Sequence, residues 1–207
     1  MYKLPAILSI FYVAVAAQQC GFSANVSFGM GQLSEEFATA RLGFGDPALF
    51  DQDGHEIMST RIANVQTPWA AYGCPPGHIS TTEATITLGA ITDPTDNICL
   101  TVRNLATAKS NLTITRSTCL ADVSTLPHPS QAFGWLTTPG TTQNPRAMLI
   151  FLGSAEPPTL GVPTNFVPSF NGTLLASGRG LWVDLMEGLK SFVPTNDTIV
   201  PIMYFSP

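Results

Sequence analysis

The chain has 207 residues, a formal net charge of −5 and only 11% charged residues. Its three lysines and six arginines are scattered without a stripe or cluster, which argues against nucleic acid as a partner. The composition is rich in Thr, Pro and Gly, suits an exported β-protein better than a helical bundle, and comes with enough length to bury a proper core in one domain.

The N-terminal stretch "MYKLPAILSIFYVAVAAQQC" carries a lone basic residue, Lys3, then an apolar run over 4–17. Small residues at Val15 and Ala17 precede Gln18, the pattern a signal peptidase recognises. This predicts a signal peptide over 1–17 and a single exported domain over 18–207. The apolar run, about 14 residues, is short of the ~20 that a spanning helix needs. No later stretch is apolar enough to span a bilayer, and Pro201 interrupts the apolar tail, so no membrane span is expected after cleavage.

Residues 18–32 read as extended. "LSEEFATARLG" predicts one short helix, with Ser34 as N-cap, Glu35 and Glu36 favouring its positive end, and Gly43 as the stop. A Gly- and Asp-rich loop leads to a strand over 56–65, and "TPWAAYGCPPGH" reads as a second loop. In "STTEATITL", Thr82, Ala84, Ile86 and Leu88 alternate with Thr81, Glu83, Thr85 and Thr87, the period of a half-buried strand. "GAITDPTDN" reads as a turn, with Asp93 and Asp96 as turn formers.

The stretch "NICLTVRNLATAKSNLTITRSTCL" follows as a hairpin. Folded about Lys109, it sets Cys99 opposite Cys119. Ile98, Leu100 and Val102 then share an apolar face with Leu112, Ile114 and Leu120, Arg116 is the misfit on that face, and a polar face carries both cysteines.

Residues 121–145 are rich in Pro, Thr and Gly and predict a long loop or linker. Strands follow at "RAMLIFLG", "NGTLLASG" and "TIVPIMYF", with a Pro-rich loop over 154–169; "GLWVDLMEGLKSF" alternates Leu181, Val183 and Leu185 as a strand but also stacks Leu181, Leu185 and Leu189 as a helix, with Gly188 and nearby turn residues favouring strand, and Pro201 in the last strand implies an edge or a bulge. The expected fold is mainly β: an antiparallel β-sandwich, open to Greek-key connections, with long Pro/Gly-rich loops and at most one or two short helices.

Four cysteines in an export context predict two disulfides. Sequence alone leaves the connectivity open; the hairpin register favours Cys99–Cys119, which by elimination leaves Cys20–Cys74. Sequons at Asn25, Asn111, Asn171 and Asn196 are the candidate glycosylation sites.

The densest group of ligand-type residues is "DQDGHE". Asp51 and Asp53 are weak calcium candidates, because alternate aspartates with a glycine suit a hard cation, but the spacing fails the EF-hand pattern. Asp51, Asp53 and Glu56 are the acids on which a hydrolytic site would draw. His55 opens "HEIMS", whose second zinc-ligating position is occupied by Ser59, so the zinc-protease motif is broken. His78 and His128 lie in predicted loops without a sequence-level nucleophile, and no nucleophile elbow or cofactor motif occurs.

Trp69, Tyr72 and Trp135, all in predicted loops, are the candidate ligand-binding aromatics, since exposed rings stack on sugars or anchor protein partners. The leading expectation is a secreted, disulfide-supported glycoprotein that binds an extracellular glycan, a cell surface or a protein ligand, with no cofactor. The alternatives are a secreted hydrolase with a loop-assembled acidic site and a structural component of a coat, wall or matrix.

Overall fold

The structure is a computed structural model that describes residues 19–32, 40–45, 48–60, 68–80, 85–103, 110–137, 146–153, 171–177, 180–186 and 199–206, with the backbone alone for 75–80, 110–111 and 171–186. The expected signal peptide, Ser34 and its predicted helical turn, the Pro-rich loop over 154–169 and Asn196 lie outside the described residues.

The strands are β1 (Gly21–Gln32), β2 (Ala40–Leu42), β3 (Leu49–Phe50), β4 (Glu56–Ile57), β5 (Trp69–Ser80), β6 (Thr85–Asp93), β7 (Ile98–Val102), β8 (Ser110–Thr118), β9 (Phe133–Thr137), β10 (Arg146–Phe151), β11 (Asn171–Ser177), β12 (Gly180–Met186) and β13 (Ile199–Ser206). A single 3-10 turn, Pro129–Gln131, is the helical element among the described residues.

Every strand pairing among the described residues is antiparallel, and the fold is mainly β as expected. The architecture is not the expected sandwich. Strands β1, β5, β6, β9, β10 and β13 pair in a ring that returns to β1, a barrel of 6 strands with the others attached. A second run, β7–β8–β12–β11, leaves the edge of β6 beyond β9 and rejoins the barrel at β10. Closure removes the exposed edges that a sandwich would have to protect.

The step that closes the ring is β9. Gly89 pairs with Phe133 on one side, and Phe151 pairs with Phe133 on the other, so β9 bridges β6 and β10. It lies inside the stretch 121–145, whose expected reading as a loop or linker holds for 121–128 and fails at Phe133–Thr137.

Alternation partitions the walls. Val26, Phe28, Trp69, Ile91, Trp135 and Leu149 belong to the main core inside the barrel. Ile86, Leu88, Met148, Ile150 and Ile202 form a second cluster on the other face of the β6–β9–β10–β13 wall. Residues Ala147 to Phe151 are therefore buried on both faces, which is why "RAMLIFLG" is a continuous apolar run.

The expected loop "TPWAAYGCPPGH" is largely β5. Its prolines fall between Gly73 and His78, where the register with β6 shifts, so their missing N–H groups break no ladder. Ala40–Leu42, placed in the predicted helix, is a strand paired with β1, and the strand expected over 56–65 is only Glu56–Ile57 among the described residues. Pro201 sits in a strand paired on both sides, but pairing with β10 covers only Ile202 to Tyr204, so the proline lies just past it.

The hairpin β7–β8 forms with a register two residues tighter than expected. Cys99 lies opposite Ser117, and its disulfide runs diagonally to Cys119. Leu100, Val102, Leu112 and Ile114 share the core face as expected. Leu120 does not join them; β8 ends at Thr118 and Leu120 is 59% exposed. The expected polar face is also covered, with Cys99, Thr101 and Thr115 buried. Gln131 covers it: its Nε2 donates to Thr101 Oγ1 at 2.9 Å and to the Thr118 carbonyl at 3.0 Å, and its Oε1 accepts from Leu120 N at 2.7 Å. A buried amide satisfied on both ends ties the 3-10 turn to the stapled hairpin.

Candidate functional site

The acidic stretch forms the turn of a short hairpin, β3–β4. Asp51 N donates to the His55 carbonyl at 2.8 Å, and Gly54, at φ 83°, supplies the left-handed step that closes the turn. Asp51 Oδ1 accepts from Asp53 N at 3.0 Å and His55 N at 2.7 Å, and lies 3.3 Å from His55 Nδ1. The carboxylate thus stabilises the turn from within, as short Asx side chains do. Asp51, Asp53 and His55 each place one ligand-type atom within 4.8 Å of the others. That supplies three donors, against the roughly six to eight oxygens a calcium ion takes.

Glu56, the third candidate acid, points elsewhere. It is ion-paired with Arg116 of β8, and the Arg116 guanidinium lies 5.4 Å from the Phe44 ring centroid. Phe44 is itself buried, its ring centroid 5.7 Å from that of Trp69. Arg116, out of place on an apolar face by sequence, thus crosses the core rim with its charge answered by Glu56 and its planar group over a ring. The three acids do not converge: Asp51 and Asp53 serve the turn while Glu56 anchors the hairpin to β8.

The aromatic candidates separate in the same way. Trp69 lies in β5 and Trp135 in β9, at 5% and 4% exposure, so neither is the exposed loop ring expected. Trp69 packs against Phe28 and Phe44. Trp135 lies over Gly73 and Gly89, where an added Cβ would meet its ring. Tyr72 alone keeps partial exposure, on the outer side of β5, where its ring meets that of Phe22 edge-to-face with centroids 5.9 Å apart. Phe22, 58% exposed, is not legible as a surface residue from sequence, because a single aromatic in an extended stretch carries no facing signal until its register is fixed.

Both disulfides form as paired from sequence, Cys20–Cys74 and Cys99–Cys119, with no free cysteine. Cys20 N also donates to the Ser124 carbonyl at 2.7 Å, so the loop after β8 packs beside the first staple. That loop is ordered by Asp122, whose Oδ1 accepts from Ser124 N at 2.8 Å and Ser124 Oγ at 2.7 Å. These bonds hold the Asp122 carboxyl below its ordinary value. Asp93 repeats the device with Thr95, as expected of a turn former, but the expected turn "GAITDPTDN" starts only there, since Gly89–Asp93 belongs to β6.

His78 falls in β5 and not in a loop, and His128 caps the 3-10 turn with Nδ1 2.8 Å from Ser130 Oγ. Of the sequons, Asn25 is half-buried on β1, Asn111 and Asn171 lie on β8 and β11, and Asn196 is outside the described residues. No helix among the described residues is long and apolar enough to cross a membrane. Comparison of the chain with protein families, with curated proteins and with solved structures finds no match.

Proposed function

We propose that the chain is an exported glycoprotein that acts outside the cell as a binding or interaction module for a glycan, a cell surface or a protein ligand. The observation that carries the export half is the complete pairing of four cysteines into two disulfides, which persist in oxidising compartments and are rare elsewhere. The binding half rests on the hairpin β3–β4. Phe50 stands 61% exposed on a two-residue strand at the end of the sheet, directly beside the polar turn Asp51–His55. An exposed aromatic beside polar groups supplies the kind of anchor that partner contacts use.

The commitments of Asp51 to its turn and of Glu56 to Arg116 weigh against the hydrolytic reading built on those acids. The test is binding of the purified, disulfide-intact protein to a glycan and cell-surface panel, with Phe50→Ala alongside. Saturable binding lost in Phe50→Ala without a change in Tm supports the reading. Binding that Phe50→Ala leaves intact removes the hairpin from it.

A further inference from the structure

The exposed Phe22–Tyr72 pair lies beside a sequon, and the register explains why. Val26 pairs with Trp69 and both face the barrel interior, so their neighbours Asn25 and Ala70 face outward. Residues three apart on a regular strand face opposite sides. Between Phe22 and Ala24, however, the register shifts at a bulge, and Phe22 pairs with the outward-facing Tyr72. The bulge therefore brings Phe22 and Asn25 to the same outer face. Asn25 and Tyr72 are diagonal neighbours, within reach of aromatic and long side chains. The residue directly across from Asn25 is Ala70, a buried alanine that adds no long side chain of its own. Ser27, the third sequon position, is exposed.

We propose that Asn25 carries an N-linked glycan whose first N-acetylglucosamine lies on the Phe22 ring, making the outer face of β1 and β5 a shelf for the chain's own sugar. The modification rests on the export reading, because it needs the secretory pathway's lipid-diphosphate-linked oligosaccharide. In the transfer, a bond forms between Asn25 Nδ2 and C1 of the sugar while the C1–O bond to the lipid diphosphate breaks. The amide releases one proton and the lipid diphosphate leaves. The apolar face of the sugar then covers a ring that is otherwise 58% exposed, and Tyr72, packed edge-to-face against Phe22, holds that ring in place.

The full chain is to be expressed in a eukaryotic secretory host and its medium fraction mapped for glycopeptides. Wild type, Phe22→Ala, Asn25→Gln and the double variant are then melted. The melts are repeated after an endoglycosidase trims each glycan to one N-acetylglucosamine. Asn25 is expected to be occupied. Asn25→Gln should melt lower by about 3 °C, a modest single-contact loss for a domain of this length, and Phe22→Ala by more, because it also loses the ring contact with Tyr72. The double variant should melt no lower than Phe22→Ala alone, because without that ring the sugar has nothing left to lie on. Trimming should preserve the difference, Phe22→Trp should retain it, and in unglycosylated bacterial protein Phe22→Ala should lower the melt only by the smaller share due to the Tyr72 contact. An exported protein with Asn25 bare, or shifts that add in the double variant, overturns the shelf and leaves export standing. A chain retained in the cell with every sequon bare overturns both.

Discussion

Gly89 offers the sharpest test of barrel closure. It sits on β6 between β5 and β9, facing the interior. A Cβ placed there would lie 2.0 Å from the Tyr72 carbonyl oxygen and 2.8 and 2.9 Å from the Trp135 ring atoms Cη2 and Cζ3. The carbonyl belongs to the backbone of a paired strand, and Trp135 is 4% exposed with nowhere to swing. Both walls must therefore give. Overpacking of a filled core costs about 1–3 kcal/mol, and a clash with backbone belongs at the upper end, ~3 kcal/mol. At roughly 2–4 °C per kcal/mol for a domain of this size, Gly89→Ala should lower Tm by roughly 6–12 °C. Gly21→Ala is the matched control: no atom lies within 4 Å of its added Cβ, so its effect should stay within about 0.5 kcal/mol. Thermal unfolding followed by tryptophan fluorescence reads both, since Trp135 reports on the site. A Gly89→Ala protein that unfolds with the wild type would refute the placement of β9 against β6.

The other expectations concern the staples and the polar anchors. Replacing Cys99 and Cys119 together by Ser opens a loop of separation 20, and Cys20 and Cys74 one of separation 54; chain entropy puts the losses at about 3 and about 4 kcal/mol, readable as a rank order in denaturant midpoints. Arg116→Ala should cost about 1 kcal/mol, through the lost ring contact and a Glu56 left without its cation, and Arg116→Lys should recover only part of it, as a point charge cannot lie flat on Phe44. The Asp122 carboxyl is held below its ordinary value of 3.8, so its contribution is present above the unfolded pKa and lost as pH falls through the lower folded one. The Tm gap between wild type and Asp122→Ala should therefore be open at pH 7 and begin to close only below about pH 4.

Local alternation makes several strands legible in the sequence itself. Ile86 and Leu88 face together, "RAMLIFLG" is buried on both faces, and the 181–185 alternation is strand β12. The hairpin pattern also pairs the cysteines correctly, even though its register is off by two, because a diagonal and a direct pair look alike in sequence. What escapes is non-local. The strand character of β5 is hidden by Pro75 and Pro76, which are tolerated only because a bulge takes them out of the ladder. β9 is five residues amid Pro, Thr and Gly, and its role depends on β6 and β10, each of which approaches from a different part of the chain. With β9 read as loop, the remaining strands suggest two sheets; with it in place, they close. For the same reason Trp69 and Trp135 resemble surface rings in sequence, while the exposed ring Phe22 does not stand out. Gln131 gives no signal at all, since a lone Gln after Pro-Ser acquires its meaning from Thr101 and Thr118 across the fold.

The most direct measurement of the functional reading is the binding panel run on disulfide-intact protein and on Phe50→Ala. The predicted result is saturable binding to an extracellular glycan, cell surface or protein ligand that falls at least tenfold in Phe50→Ala, about 1.4 kcal/mol, with Tm unchanged. Silence across the panel by a folded, fully disulfide-bonded protein would contradict it.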